Sequence, residues 1–528
     1  MLAQVLPGPD AWPDGNARPI VRYDGNRLDE AVEATIDALR ADAGLYQRGG
    51  DLVHVVQDLA ADGSSLGQPT FRTVTLAHLR DRASAFVDMH KPNAKGEWKP
   101  CKIPDDVLAA VIDRGRWPGI RVASAIVEQP VLRPDGTVLQ TDGYDAGTGL
   151  VLMPSGEFLP VPDRPSRFDA VAALAELLEI FADFPFAAEC HRSAALASLL
   201  TMFARPAIDG CCPLMMVEAS TRGTGKTRLV DAVMTVATGR DAAKRSYSTD
   251  IEEMRKVYTS VIFAGRSVLF LDNIMRGIGD PALDSALTSR THEDRVLGES
   301  RSQVAPNRLV IFGSANNPIY LGDTARRTLP IRLESKLENP EERQDFRHPN
   351  LLEWCRTERP RLVRAALTLL RAWVVAGRPD MGLPLWGSFE EWSRVVPAAL
   401  VFAGMPDPME TRRGLEMASD PQRNAVAILL EFWPKFDVTG NGVTVVSVLK
   451  QLFPQRGGYN SDPPPEPEYY EAMKEATLEL AASKGGDRVD PRTLGMVVRR
   501  ARGRVINGRT FVENGSTGGS TRWRVQQS

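Results

Sequence analysis

The chain has 528 residues, too many for one ordinary core, and length alone sets an expectation of roughly three or four domains. Hydrophobic residues at 43%, charged residues at 25% and a net charge of only -3 exclude a disordered chain. No run approaches the roughly 18 apolar residues that span a bilayer, and Met1 to Asp14 lacks a basic start followed by an apolar core, so a cytoplasmic protein with no membrane partner is expected. The five cysteines, Cys101, Cys190, Cys211, Cys212 and Cys355, have no C-x-x-C spacing, and neither a disulfide framework nor structural zinc is predicted.

Residues 1–165 read as a small α+β accessory domain. A helix is predicted at Arg27 to Ala43, and Leu52-Val-His-Val-Val56 and Gly149-Leu-Val-Leu-Met153 are strand-like runs between glycine-bearing stretches. After a break at Asp163-Arg-Pro-Ser166, apolar residues at helical spacing predict helices over Asp169 to Phe184 and His191 to Phe203. Residues 166–335 then alternate apolar strands with helices, the pattern of a parallel sheet wrapped by helices. Strands are predicted at Pro213 to Val217, Ser267 to Asp272 and Arg308 to Gly313, with helices at Thr227 to Thr238 and Ile251 to Phe263. Residues 336–436 read as a helical lid or bundle, with helices at Leu351 to Val375, broken or kinked at Pro360, and at Phe389 to Ala403. Pro454 to Pro467 reads as a linker within the last region, 437–528.

Between the first two core strand and helix elements lies Ser220-Thr-Arg-Gly-Thr-Gly-Lys-Thr227, a P-loop pattern. A glycine-rich turn entering a helix lets backbone N–H groups close around phosphate oxygens, which assigns Ser220, Gly223, Thr224, Gly225, Lys226, Thr227 and Arg228 to an ATP site. Lys226 would reach the β and γ phosphates, and the Thr227 hydroxyl would bind Mg²⁺. Ser220 stands where the strict pattern has glycine, so the loop entry must take a conformation that serine tolerates. The apolar strand ending in Asp272, 45 residues beyond Thr227, has the Walker B form, with its carboxylate emerging beside the Mg²⁺. Asn273 follows, where many ATPases carry a glutamate that activates water. An amide orients a water but does not take its proton, so hydrolysis is slow or an acid such as Asp280 or Glu293 serves.

Several further features arrive in order: Arg48-Gly-Gly50, the P-loop, Leu271-Asp-Asn273, Arg295-Val-Leu-Gly298, Asn316-Asn317 with Gly322-Asp323 and Arg326-Arg327, and Phe389-Glu-Glu-Trp392 with Asp407-Pro408. From about Pro19 to the C-terminus the chain thereby resembles the superfamily 3-like AAA+ ATPase module of phage, plasmid and integrative-element replication proteins, often fused behind a primase. The resemblance implies an AAA+-type α/β core and a sensor asparagine at Asn316, or Asn317, that holds the attacking water. It implies an arginine finger at Arg326 or Arg327 that acts on a neighbouring subunit's site, and hence a homo-oligomeric ring, typically a hexamer. It also implies that Arg295 to Pro306 forms a hairpin in the central channel, with Arg301 at its tip on the backbone of single-stranded DNA.

From Pro491 to Ser528 there are eight arginines against one acid, Glu513, a local charge of +7 in a chain of net charge -3. Three predicted helices, Val443 to Phe453, Glu471 to Ser483 and Asp490 to Arg502, precede two strands at Arg504 to Arg509 and Arg522 to Val525, which is the order of a winged helix. Arg499, Arg500, Arg502, Arg504, Arg509 and Arg522 are the candidate contacts to duplex DNA. The function expected is an ATP-dependent DNA helicase or translocase in replication of a phage or mobile element. The rivals are an initiator or loader that binds DNA without processive unwinding, a phage-defence ATPase, and a primase-helicase fusion. No D-x-D acid cluster precedes the P-loop, so any primase is expected to be a separate partner.

Overall fold

The computed structural model describes residues 18–58, 67–275, 277–295, 302–337, 340–413, 415, 421–454, 468–483 and 488–527. The linker stretch 455–467, residues 296–300 and Arg301 lie outside the described residues. The chain divides into two compact units, one ending at Arg412 and one beginning at Arg413.

The first unit opens with an α+β module. Helices α1 (Leu28–Leu39), α2 (Leu76–Phe86) and α3 (Asp105–Asp113) bury Ile36, Leu39, Leu79, Val107 and Leu108 around the fully buried Trp117. Strands β1 (Ile20–Arg22), β5 (Asp88–Pro92) and β6 (Trp98–Pro100) form one small sheet, and β2 (Tyr46–Arg48), β3 (Asp51–Val56), β4 (Thr70–Thr73) and β7 (Arg121–Val122) form another. The turn from β2 to β3 is Gly49-Gly50, both with positive φ. Two further small sheets follow: β8 (Ala125–Val127) with β11 (Gly143–Asp145) and β12 (Leu150–Leu152), and β9 (Val131–Leu132) with β10 (Val138–Leu139).

Next comes a five-stranded parallel sheet built from β13 (Leu214–Ala219), β14 (Lys244–Arg245), β15 (Val268–Ile274), β18 (Val310–Asn316) and β19 (Thr328–Leu333). Its spatial order is β14-β15-β18-β13-β19. The fourth core strand in sequence, β18, is therefore inserted between β13 and β15, which brings the ends of three strands together. The apolar residues Leu214, Met215, Met216 and Val217 are fully buried, as a central strand covered on both faces requires. Helices α4 (Arg167–Leu178), α5 (Glu189–Ala204), α6 (Lys226–Thr238), α9 (Leu351–Val375) and α10 (Glu390–Ala403) share one hydrophobic cluster with that sheet. Helix α9 runs through Pro360 as one 25-residue helix, where the sequence predicts a break or kink. Next to the proline, the buried Arg359 donates to Val236 O and Ala237 O at the end of α6, at 3.0 and 3.2 Å. Helices α7 (Ile251–Phe263) and α8 (Pro281–Thr288) and the hairpin β16 (Thr291–Arg295) and β17 (Ser302–Pro306) complete the unit.

The second unit holds α11 (Pro421–Phe432), α12 (Val445–Leu452), α13 (Glu468–Ala481) and α14 (Pro491–Arg500), with strands β20 (Val443–Thr444), β21 (Arg509–Thr517) and β22 (Ser520–Gln527). Its core gathers Leu429, Trp433, Val448, Leu494, Phe511 and Trp523. The hairpin starts later than the sequence pattern predicts. Residues Arg504 to Gly508 make a tight turn, with Asn507 at φ 50, because the strand alternation that buries Phe511 against Trp523 begins only at Arg509.

Candidate functional site

The site is assembled at the carboxyl ends of β13, β15 and β18. Helix α6 starts at Lys226, and its N-cap, Gly225, has φ 90, while Gly223 has φ 75. These left-handed positions let successive N–H groups turn inward, and a Cβ at Gly225 would stand 3.3 Å from the Phe184 ring. Ser220 is not among the described residues with positive φ, so the serine in place of the first glycine is accommodated without strain. Lys226 Nζ donates to Asn316 Oδ1 at 2.6 Å and to Thr221 O at 3.4 Å. Burial pulls the Lys226 ammonium below its ordinary range, and Asp272 opposes that pull. Thr227 Oγ donates to Asp272 Oδ1 at 3.0 Å, which puts hydroxyl and carboxylate oxygens side by side, the hard donor set a Mg²⁺ ion prefers.

A residue that the motif reading passes over ties this group together. Ser314, 1% exposed on β18, donates to Asp272 Oδ1 at 2.6 Å and accepts from the Asn273 N–H at 2.9 Å. The strand bulges between Leu271 and Ile274, and Asn273 takes φ 53, a left-handed conformation that asparagine tolerates better than most residues. Asn317, also left-handed at φ 43, is bonded back to the loop entry, its N–H to Ala219 O at 3.0 Å and its amide to Ser220 O at 3.4 Å. Of the two asparagines, Asn316 therefore faces Lys226 and Asn317 braces the loop. Of the two acids named as substitutes for the missing glutamate, one is bound elsewhere. Asp280 caps α8 through the Ala282 and Leu283 N–H groups and accepts from Tyr247 OH at 2.7 Å, and Glu293 lies on the exposed side of β16.

The two candidate finger arginines differ. Arg327, with a side chain 13% exposed, is locked to Asp284 of α8 at 2.7 Å and to Asp323 at 3.2 Å. Arg326 is 54% exposed and touches Asp323 alone among the described carboxylates. Trp386 Nε1 donates to Arg326 O at 2.9 Å and fixes the backbone beneath the exposed guanidinium.

On the other side of the loop, a cavity of about 570 Å³ is lined by Gly223, Thr224, Gly225 and Arg228 together with Phe184, Phe186 and Phe346. Its outer wall is fastened by Asp183, whose carboxylate accepts from the Arg347 and His348 N–H groups at 3.0 and 3.1 Å. Apolar ring faces beside a glycine-rich loop suit a flat heterocycle. The only sequence signal for this wall is the cluster Phe184-Pro-Phe186, which the helical pattern absorbs into the end of a predicted helix.

The hairpin expected from Arg295 to Pro306 begins earlier than expected, since the β16 and β17 ladder pairs Thr291 with Pro306 and Arg295 with Ser302, and the expected tip at Arg301 lies outside the described residues. In the second unit, Arg499 and Arg500 at the end of α14 and Arg504 beyond it are exposed, while Arg509 and Arg522 are half-buried. Arg502 is exposed and paired with Glu513 at 3.1 Å. Among the described residues no helix is long and apolar enough to cross a membrane.

No family model and no curated protein matches the sequence. Solved structures with a distantly similar arrangement include "The A form apo structure of NrS-1 C terminal region-CTR", at TM-score 0.40 and 10% identity over 93% of this chain and 98% of that one. Another is "SCCmec type IV Cch - active helicase", at TM-score 0.35 and 9% identity over 92% of this chain and 97% of that one. Likenesses at this distance carry no functional argument, which rests instead on the side chains.

Proposed function

We propose that the chain is an ATP-driven DNA translocase or helicase of the superfamily 3-like AAA+ type, working as a homo-oligomeric ring in replication of a phage or mobile element. The observation that carries the reading is the convergence of Lys226 on Asn316 and of Thr227 on Asp272, from three strand ends that are adjacent only because β18 is inserted between β13 and β15. That insertion supports an AAA+-type P-loop core, and helices α12, α13 and α14 with the β21 and β22 hairpin support a winged helix.

In this reading the N–H groups of Gly223 to Lys226 wrap the phosphates of ATP and Arg228 lines the path to the base. Lys226 moves from Asn316 to the γ-phosphoryl oxygens, which frees the Asn316 amide to orient the attacking water. Thr227 and Asp272 would hold Mg²⁺, which supplies charge neutralisation on the phosphate oxygens. Water attacks the γ-phosphorus, its proton passes to a γ-phosphoryl oxygen, the bond to the bridging oxygen breaks to leave ADP, and Arg326 from a neighbouring subunit stabilises the charge that develops. The β16 and β17 hairpin contacts the backbone of single-stranded DNA, and the arginines of the second unit contact duplex DNA.

A second reading is favoured by one observation: Asn273 replaces the glutamate, while Asp280 is committed to a helix cap. Slow hydrolysis suits an initiator or loader that binds DNA in an ATP-dependent way without unwinding it. Turnover measured with and without single-stranded DNA, beside strand displacement on forked substrates, separates the two. DNA-stimulated turnover with unwinding supports the motor. ATP-dependent DNA binding without unwinding overturns it in favour of the initiator, and turnover indifferent to DNA overturns both.

A further inference from the structure

The Arg48-Gly49-Gly50 turn takes no part in the proposed nucleotide site, yet its contacts reach beyond the N-terminal module. Arg48 is 3% exposed, and its guanidinium reaches carbonyls rather than a carboxylate. It donates to Ser124 O within the module, to Ile262 O in the last turn of α7 at 2.8 Å, and at 3.5 Å to Pro306 O, the last residue of the β16 and β17 hairpin. Burial lowers its pKa to about 10, so it stays charged near neutrality, solvated by carbonyl dipoles that include the negative end of the α7 helix. Only the planar fork of arginine spans three separate segments in this way.

The neighbouring backbone is fitted as closely. Gly49 has φ 59, and a Cβ there would lie 2.7 Å from Val304 O and 2.8 Å from the Gln303 amide on β17. Gln303 Nε2 in turn donates to Asp51 Oδ2 at 3.2 Å, just beyond the turn. The opposite strand of the hairpin is held to α7 itself: Thr259 Oγ donates to Asp294 Oδ2 at 2.6 Å and meets His292 Nε2 at 2.9 Å. Helix α7 runs into the strand that carries Asp272, and β17 runs into the strand that carries Asn316.

We infer that the N-terminal module is a brace for the hairpin, with Arg48 as its positioning residue: module, α7 and hairpin move as one body, so the stance of the hairpin on DNA is set from the module. The inference takes the hairpin as the DNA contact from the proposed function, but the brace itself is testable without DNA. Hydrogen exchange on the full chain reads the amides of β16 and β17 against those of β13 and α6. In Arg48→Met, which keeps the bulk and removes the charge, exchange is expected to rise at least about tenfold in the hairpin and to stay unchanged in β13 and α6. With DNA, the concentration of single strand giving half-maximal ATPase stimulation is expected to rise about tenfold, while basal turnover and KM for ATP stay within about twofold. Arg48→Lys should not rescue, because an ammonium cannot bridge the three carbonyls.

Should Arg48→Met fail to fold, Gln303→Ala, which removes the bond to Asp51 and the amide packed against Gly49, gives the same readings at smaller amplitude. Hairpin exchange unchanged in a folded variant overturns the brace. Hairpin exchange raised while DNA stimulation is untouched keeps the brace and overturns its link to DNA. A wild-type protein whose turnover ignores DNA is a failure of the proposed function and leaves the exchange result to decide the brace.

Discussion

The proposed nucleotide site in the first unit and the arginine-rich end of the second both carry dense charge, and they are built in opposite ways. Around Lys226 polar groups answer one another at strand ends: Lys226 by Asn316, Thr227 and Ser314 by Asp272, and the Asn273 N–H by Ser314. At the end of α14, Arg499 and Arg500 stand out into solvent, while Leu494 and Val498 on the other face hold the helix to its core. The first arrangement is cooperative, since removing one group leaves its partners misdirected. The second is additive, since each exposed cation acts nearly alone and is screened by salt. Substitutions should therefore produce all-or-none effects in one region and graded effects in the other.

The largest expected effect is at the site. Lys226→Ala and Asp272→Ala should each abolish measurable ATP turnover, and the double substitution should be no worse than either single one. Two partial, multiplying losses would show that the groups work independently and would break the contrast.

Next are the two arginines, which repeat the contrast on a small scale. Arg326→Ala should lower turnover by on the order of 10²- to 10³-fold with an unchanged melting temperature. Arg327→Ala should instead lower stability by about 2 kcal/mol, because it strips the charged partner from Asp284. Mixing active-site Lys226→Ala subunits with Arg326→Ala subunits should restore turnover at mixed interfaces if the finger acts in trans. No recovery at any ratio would sink that arrangement.

A smaller and graded effect is expected in the second unit. Arg499→Ala with Arg500→Ala should weaken duplex binding about equally for all sequences and reduce the slope of log affinity against log salt by roughly 2, about 0.9 for each phosphate no longer neutralised. A change confined to one DNA sequence would mean that these side chains read bases, contrary to the additive picture.

What the sequence made legible follows the same divide. Gly223, Gly225, Lys226 and Thr227 are contiguous, and an apolar run ending in Asp272 carries its own address, so the strand, loop and helix around them could be placed from local pattern alone. Ser314 could not, because its role depends on β18 lying next to β15, which brings together residues 42 apart. Phe184 and Phe346 line one cavity, and Arg48 meets Pro306 across 258 residues. Such pairings leave no periodicity. The late start of β21 was hidden for a different reason: Asn507-Gly508 is a turn signal, but the hairpin it announces is a single bridge, and burial of Phe511 and Trp523 decides where the long ladder runs.

The smallest expected effect asks whether the cooperative region costs stability that the additive one does not. Glu218 lies on β13, two residues before the loop, and burial holds its carboxyl above the ordinary value although Tyr320 OH donates to it at 2.8 Å. The folded chain therefore binds that proton more tightly than the unfolded chain. The stability gained from protonated Glu218 is full below the unfolded value of about 4.3 and is lost as pH rises through the folded one. Glu218→Gln keeps an acceptor for Tyr320 and removes the titration. Denaturant midpoints from about pH 4 to about pH 8 should then fall less in the variant than in the parent, with the two closest at the acid end. Parallel curves would mean that the Tyr320 hydroxyl fully compensates the burial, and that the strand carrying the phosphate loop is held at no electrostatic cost.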